Sequence, residues 1–172
     1  MIITLSGPPG SGTSTVGKLV AKKLDLKFSP VGEIFRQMAK EKGLSLEEFS
    51  SMAEKDPSVD KEVDIRQVEE ANKGKVVFDS RLSGWLVRNA DLKVWLKAPL
   101  DVRLKRVAQR DKITEQRAFI DVTLREGSEK KRYKNYYDID LDDLSVYDLV
   151  IDTSKWSAEQ VAELIEKAVT KK

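Results

Sequence analysis

Neither cysteine nor histidine occurs anywhere in the 172 residues. The first absence excludes disulfides and thiolate metal sites. The second removes the commonest general base, and with it the Ser-His hydrolase mechanisms. No apolar run approaches the ~20 residues that cross a bilayer, so no membrane partner is expected. Met1 opens directly onto an apolar stretch and leaves no room for a cleavable leader, so the expected location is cytoplasmic. An excess of one charge is also missing, because 31 Lys and Arg stand against 29 Asp and Glu. Nucleic-acid binding usually needs a basic excess on one face, so no nucleic-acid partner is expected. Phosphoryl transfer survives these exclusions, since it relies on positioning and charge neutralisation rather than on an imidazole. The length suits a single domain, residues 1–172, with a full core.

What is present begins at the first residue. The apolar run Met1-Ile2-Ile3-Thr4-Leu5 breaks into Gly7-Pro8-Pro9-Gly10-Ser11-Gly12-Thr13-Ser14-Thr15, and a periodic segment from Val16 to Leu24 follows. Strand, glycine-rich loop and helix in that order cradle a polyphosphate, because loop N–H groups point inward and the helix N-terminus adds positive potential. The spacing from Gly7 through Gly12 to Ser14 matches G-x-x-x-x-G-K-[ST] at every position but one. Thr13 stands where the phosphate-binding lysine is expected. Ser14 is the hydroxyl at the metal-coordinating position, with Thr15 beside it.

Further along, strand and helix alternate, which predicts an α/β fold with a parallel sheet. Lys27-Phe28-Ser29 reads as a short strand and Val31 to Lys42 as a helix ended by Gly43. Ser45-Leu46-Glu47-Glu48 is a capped helix start, and Pro57 opens a further helix that runs to about Lys73. Lys75 to Asp79, Leu92 to Lys97 and Val146 to Asp152 read as strands. Helices are expected from Leu100 to about Asp111, from Thr114 to Tyr137 and from Ser157 to Val169. Five strands with helices between them make a three-layer sandwich.

Asp79 ends a hydrophobic strand, where open α/β sheets place their ligands, and a carboxylate there can orient magnesium or its waters. It could equally be a turn former, since Asp79-Ser80-Arg81 begins a new element. Arg103, Arg106 and Arg110 share one helix face. Arg117, Arg125 and Arg132 repeat near helical period, with Glu126 and Glu129 between them. Such a run is either a solvated face of i,i+4 ion pairs or an anion site, for which arginine is preferred over lysine. Arg36 and Arg81 fall near the mouth implied by the strand ends. Tyr133, Tyr136 and Tyr137 are expected to pack the charged helix onto the body.

Together these blocks resemble the nucleoside monophosphate kinases, specifically the short, archaeal-type cytidylate kinases. The likeness covers essentially the whole chain, through Gly32-Glu33-Ile34-Phe35-Arg36, Asp79 to Trp85, Arg125 to Arg132-Tyr133 and Ser145 to Thr153. It implies a three-layer P-loop kinase fold on a five-stranded parallel sheet, a helical acceptor-binding insertion at about 31–73 and a small lid at about 111–140. It further implies transfer of the γ-phosphoryl of ATP to CMP or dCMP, giving ADP and CDP or dCDP, by a monomer. Gly7, Pro8, Pro9, Gly10, Ser11, Gly12, Thr13, Ser14 and Thr15, with Arg106 and Arg110, would bind ATP. Arg36 and Arg81, beside Asp79, would grip the acceptor phosphate. Arg125 and Arg132, with Arg81, would act on the transferring group, and Mg2+ would be held at Ser14 and Asp79, partly through water.

The residues alone leave the acceptor base open. Asp56, Asp60, Asp64, Arg66 and Gln67 could read a cytosine edge or form a solvated face. An AMP or UMP kinase, a kinase of a non-nucleotide alcohol, and a nucleotide-binding regulator that lost turnover with its lysine all fit the same loop.

Overall fold

Strands that are buried on both faces need a covering layer on each side, and the alternation of the first strand supplies both layers at once. In the computed structural model, which describes residues 1–170, β1 (Ile2–Ser6) is buried throughout. Ile3 and Leu5 point to one side of the sheet and Ile2 to the other. β1 pairs in parallel with β3 (Val76–Asp79) on one edge and β4 (Leu92–Lys97) on the other. β2 (Lys27–Pro30) and β5 (Leu149–Asp152) complete a parallel sheet of order β2-β3-β1-β4-β5. The chain therefore departs from β1 in both directions, and the crevice between the C-terminal ends of β1 and β3 is the place such sheets use for ligands.

One layer is α1 (Thr13–Leu24) packed beside α8 (Ala158–Thr170), with Val16, Val20, Val161 and Ile165 meeting Ile3, Leu5, Val77 and Leu96. The opposite layer is α2 (Val31–Glu41), α3 (Leu46–Ala53) and α4 (Pro57–Asn72). Their Met38, Phe49, Val59 and Val63 join Ile2, Val76 and Phe78 in a second cluster. The predicted caps form. The Ser45 N–H donates to Glu48 Oε2 at 2.8 Å while the Glu48 N–H donates to Ser45 Oγ at 3.1 Å. Asp56 caps α4, with Pro57 in its first turn.

A single helical turn, α5 (Ser83–Leu86), follows β3. It is too short to carry a helical period and was not expected from the sequence. α6 (Leu100–Asp111) and the long α7 (Glu115–Tyr137) form a hairpin closed by Val107, Ala108, Ala118 and Val122. Gly127 does not interrupt α7. The C-terminal half of α7 seats Tyr133 against Leu82, Ile139 and Leu141, and the Tyr136 hydroxyl donates to the Ala53 carbonyl at 2.6 Å. The tyrosines therefore pack α7 onto the body. β5 begins at Leu149, three residues later than the apolar pattern suggests, because Ser145 and Val146 lie in a turn closed by the Tyr147 N–H on the Leu144 carbonyl at 3.1 Å; Tyr147 then packs on Trp95, with ring centroids 5.2 Å apart.

Candidate active site

The loop after β1 is held from behind. Gly10 has φ +82, and a Cβ there would lie 2.5 Å from the Arg103 carbonyl, so both the conformation and the close approach require glycine. Arg103 Nη1 donates to the Pro9 carbonyl at 3.0 Å, and Arg106 Nη1 donates to the Gly10 carbonyl at 3.2 Å. The Thr153 hydroxyl donates to the Ser11 carbonyl at 2.8 Å. Three successive carbonyls are thus engaged from the side of α6 and the turn after β5. At the front, Gly12 caps α1 with φ 95 and no side-chain bond, and the first helical bond runs from the Val16 N–H to Gly12 O at 3.0 Å. The N–H groups of Thr13, Ser14 and Thr15 therefore have no acceptor within the helix and face the crevice as a concentrated positive end.

Parallel register sets Leu5 beside Asp79, which brings the end of β3 to this loop. The Ser14 hydroxyl donates to Asp79 Oδ2 across 65 positions of sequence. A hydroxyl and one carboxylate, completed by phosphate oxygens and waters, is the donor set Mg2+ usually takes in phosphate sites. Among the described residues there is no cluster of three acidic, histidine or cysteine side chains that would hold a metal without a phosphate. The pair fits a magnesium ion that arrives with a nucleotide.

The arginines separate into distinct groups. Arg103 is buried, and besides the loop it binds the Ala98 carbonyl at 3.2 Å and Glu126 at 2.6 Å. Arg106 also donates to Thr153 Oγ1 at 2.9 Å and to its carbonyl at 2.8 Å, so it bridges the loop and the turn after β5. Arg110 lies outside, 61% exposed, with two 2.7 Å hydrogen bonds to Asp111. These bonds hold the Asp111 carboxyl below its ordinary range, and the charges of Arg110, Arg36 and Arg125 add to the effect. Of these only Arg110 touches Asp111; Arg36 on α2 and Arg125 on α7 act on it through their charge. Arg36 is exposed, and among the described residues its guanidinium has no hydrogen-bond or ion-pair partner. Arg117 pairs with Asp121 on an exposed face.

Glu129, 7% exposed, lies between Arg81 and Arg125. Its Oε2 accepts from Arg81 Nε at 2.5 Å and its Oε1 from Arg125 Nε at 2.8 Å. Burial alone would raise the Glu129 pKa, but Arg81 and then Arg125 bring it down to about 2. Arg125 is in turn raised, chiefly by Glu129, and it also feels the charge of Asp79.

Arg132 is 4% exposed, its Nε 3.2 Å from Asp60 Oδ2 and its guanidinium 5.2 Å from the Phe35 ring centroid. The pair is not aligned as a hydrogen bond, and Arg132 Nε and Nη1 both remain without an acceptor. Asp60, Asp64 and Gln67 share one face of α4 and look toward α7 and the turn after β3. Burial raises the Asp60 pKa against the pull of Arg132. Burial also pushes the Asp64 carboxyl up to about 6, although the Tyr137 hydroxyl donates to it. Gln67 accepts from the Ser80 hydroxyl at 3.3 Å, while its buried Nε2 has no partner. The other two candidates for base contact do not join them: Asp56 is a helix cap and Arg66 pairs with Glu62 on the exposed face.

From the sequence, Glu129 is only a charge between two arginines, and Arg103 is left open between an ion-paired face and an anion site; the structure turns Arg103 onto the Pro9 carbonyl and Glu126. The one signal for Glu129 was its i+4 spacing from Arg125, which exposed ion pairs share.

A family model described as the cytidylate kinase-like family matches residues 2–155. The cytidylate kinase of Pyrococcus horikoshii is 53% identical over 169 residues, covering 98% of this chain and 88% of that protein. That of Methanocaldococcus jannaschii is 51% identical over 173 residues, covering 98% and 97%. Among solved structures, an uncharacterised protein from Eubacterium ventriosum superposes with TM-score 0.75 at 19% identity, covering 100% of this chain and 99% of that one. Shikimate kinase from Aquifex aeolicus superposes with TM-score 0.61 at 20% identity, covering 99% and 96%. At such identities the solved structures speak to the fold alone, which is that of the P-loop kinases.

Proposed function

The chain belongs to the cytidylate kinase-like family, and we propose that it transfers the γ-phosphoryl of ATP to CMP or dCMP, giving ADP and CDP or dCDP. The observation that carries this is the joining of Arg81, from the turn after β3, and Arg125, from α7, on Glu129, together with the Ser14–Asp79 pair at the phosphate loop, with the charges of Arg36 and Arg110 acting on the same region. A protein that only senses ATP needs the loop but has no use for a second set of phosphate cations.

In this reading the glycine-rich loop from Gly7 to Thr15 holds the donor phosphates through its N–H groups and the first turn of α1. Arg103 and Arg106 keep the loop carbonyls turned away. Arg106 also supplies positive charge that the absent lysine would otherwise give at Thr13, and Arg110 lies on the donor side. Arg36 and Arg81 grip the acceptor phosphate. Arg125 acts on the transferring group, and Arg132 offers the unmatched N–H groups of its buried Nε and Nη1 to the same anion. Ser14 and Asp79 would hold a Mg2+ that arrives with the nucleotide, and that ion would neutralise charge on the phosphates. The acceptor oxygen is already anionic, so positioning and charge stabilisation carry the chemistry without a strong general base. Residues 31–73 form the acceptor insertion and 111–140 the lid, whose seating excludes water and protects ATP from hydrolysis.

A coupled ADP-release assay across CMP, dCMP, UMP, AMP and no acceptor tests the proposal. CMP and dCMP should exceed the others by tenfold or more in kcat/KM. Preference for AMP or UMP, or no acceptor-dependent turnover, would overturn it.

A further inference from the structure

We infer that Glu129 is a positioning residue for phosphoryl transfer, whose carboxylate orients Arg81 and Arg125 toward the phosphate and ties the seating of α7 to the acceptor side. The inference rests on the kinase reading above. The bridge joins residues 48 positions apart, and each carboxylate oxygen takes one guanidinium.

Both arginines use Nε for this bond. A guanidinium is a rigid plane of five N–H groups, so engaging Nε fixes the plane and leaves the Nη pair for bidentate phosphate binding. The other i,i+4 pairs of α7, Arg117–Asp121 and Lys134–Asp138, are exposed and hold one partner each. Glu129 differs from them by being buried and by serving two cations from two elements. Without it, the buried Arg81 guanidinium and the partly exposed Arg125 guanidinium would repel and separate. With it, the trio keeps a net single positive charge, enough to attract a phosphate while the arginines stay side by side. Because Arg81 belongs to the turn after β3 and Arg125 to α7, closing the bridge seats α7 over that turn.

The test compares Glu129→Gln and Glu129→Asp with the unaltered enzyme at a temperature where circular dichroism shows each variant folded. Glu129→Gln should lower kcat with CMP tenfold or more, with KM for ATP within twofold. Glu129→Asp, which keeps the charge, should lose less. Adding Glu129→Gln to Arg125→Ala should cost much less than it does alone, because the residue acts through that arginine. The Arg81 and Arg125 Nε–H signals, observed by NMR without turnover, should be protected in the unaltered protein and lost in Glu129→Gln. Those signals keep the bridge testable even if the cytidylate assay were to overturn the kinase reading. A folded Glu129→Gln enzyme with kcat within threefold of the original, or effects that multiply fully with Arg125→Ala, overturns the inference. If the Gln variant does not fold, Glu129→Asp decides by the same measurements: kcat and Nε–H protection both unchanged would overturn it, and loss of both would support it.

Discussion

Arg132→Ala offers a test in which stability and catalysis can be separated. Arg132 and Asp60 have side chains 4% and 6% exposed, so removing the arginine strands a carboxylate in a dry site. Breaking one partner of a buried pair costs about 3–5 kcal/mol. For a chain of this size each kcal/mol lowers Tm by roughly 2–4 °C, so the variant should melt about 6–20 °C lower near neutral pH. Burial already raises the Asp60 pKa and Arg132 opposes it, so losing Arg132 should raise it further. A carboxyl raised in the folded state contributes stability that is full below the unfolded-state pKa and is lost as pH rises through the folded value. The deficit should therefore be smallest near pH 4 and grow toward pH 8. Replacing both partners, as Arg132→Met with Asp60→Leu, removes the stranded charge and should recover most of the lost Tm. Calorimetric melts of the three proteins from pH 4 to 8 provide the measurement. A single variant that melts within about 2 °C of the original at pH 7.5, or a double variant as unstable as the single, would refute the reasoning. On the role proposed for Arg132 at the transferring phosphate, the double variant should still lose at least a hundredfold in kcat.

Arg36 is exposed and has no hydrogen-bond or ion-pair partner among the described residues, so Arg36→Ala should leave Tm nearly unchanged while kcat/KM for CMP drops tenfold or more and KM for ATP moves less than twofold, by steady-state kinetics. Thr13→Lys should bring no large gain in kcat and Thr13→Ala little loss, because Arg103 and Arg106 already hold the loop; strong activation by the lysine in the coupled assay would contradict this. Asp64 is pushed up to about 6, so the protein should lose stability as pH rises from about 4 through 6, and Asp64→Asn should flatten that slope and melt higher at pH 7.5 in thermal scans.

Much of the site was legible because it is local. Gly7 to Ser14 carries its conformation in its own residues: φ near +82 and +95 at Gly10 and Gly12, and a hydroxyl in the first turn of a helix. Asp79 was legible as the end of a buried strand. The arginines were legible only as a set. Helical spacing puts Arg103, Arg106 and Arg110 on one side, yet Arg103 turns to Pro9 and Glu126 while Arg110 stays with its neighbour Asp111. Glu129 and Asp121 stand at the same i+4 offset from an arginine and cannot be told apart by spacing. One is buried between two cations and the other is exposed.

The sequence by itself determined the excluded chemistries, the alternation of strand and helix, the caps and the phosphate loop, because backbone sterics and side-chain periodicity act over a few residues. Only the tertiary structure decided that Asp79 meets Ser14, that Arg132 faces Asp60 and that Arg81 shares Glu129 with Arg125. Coulomb attraction and desolvation depend on distance through space and on burial, and neither is a function of separation along the chain.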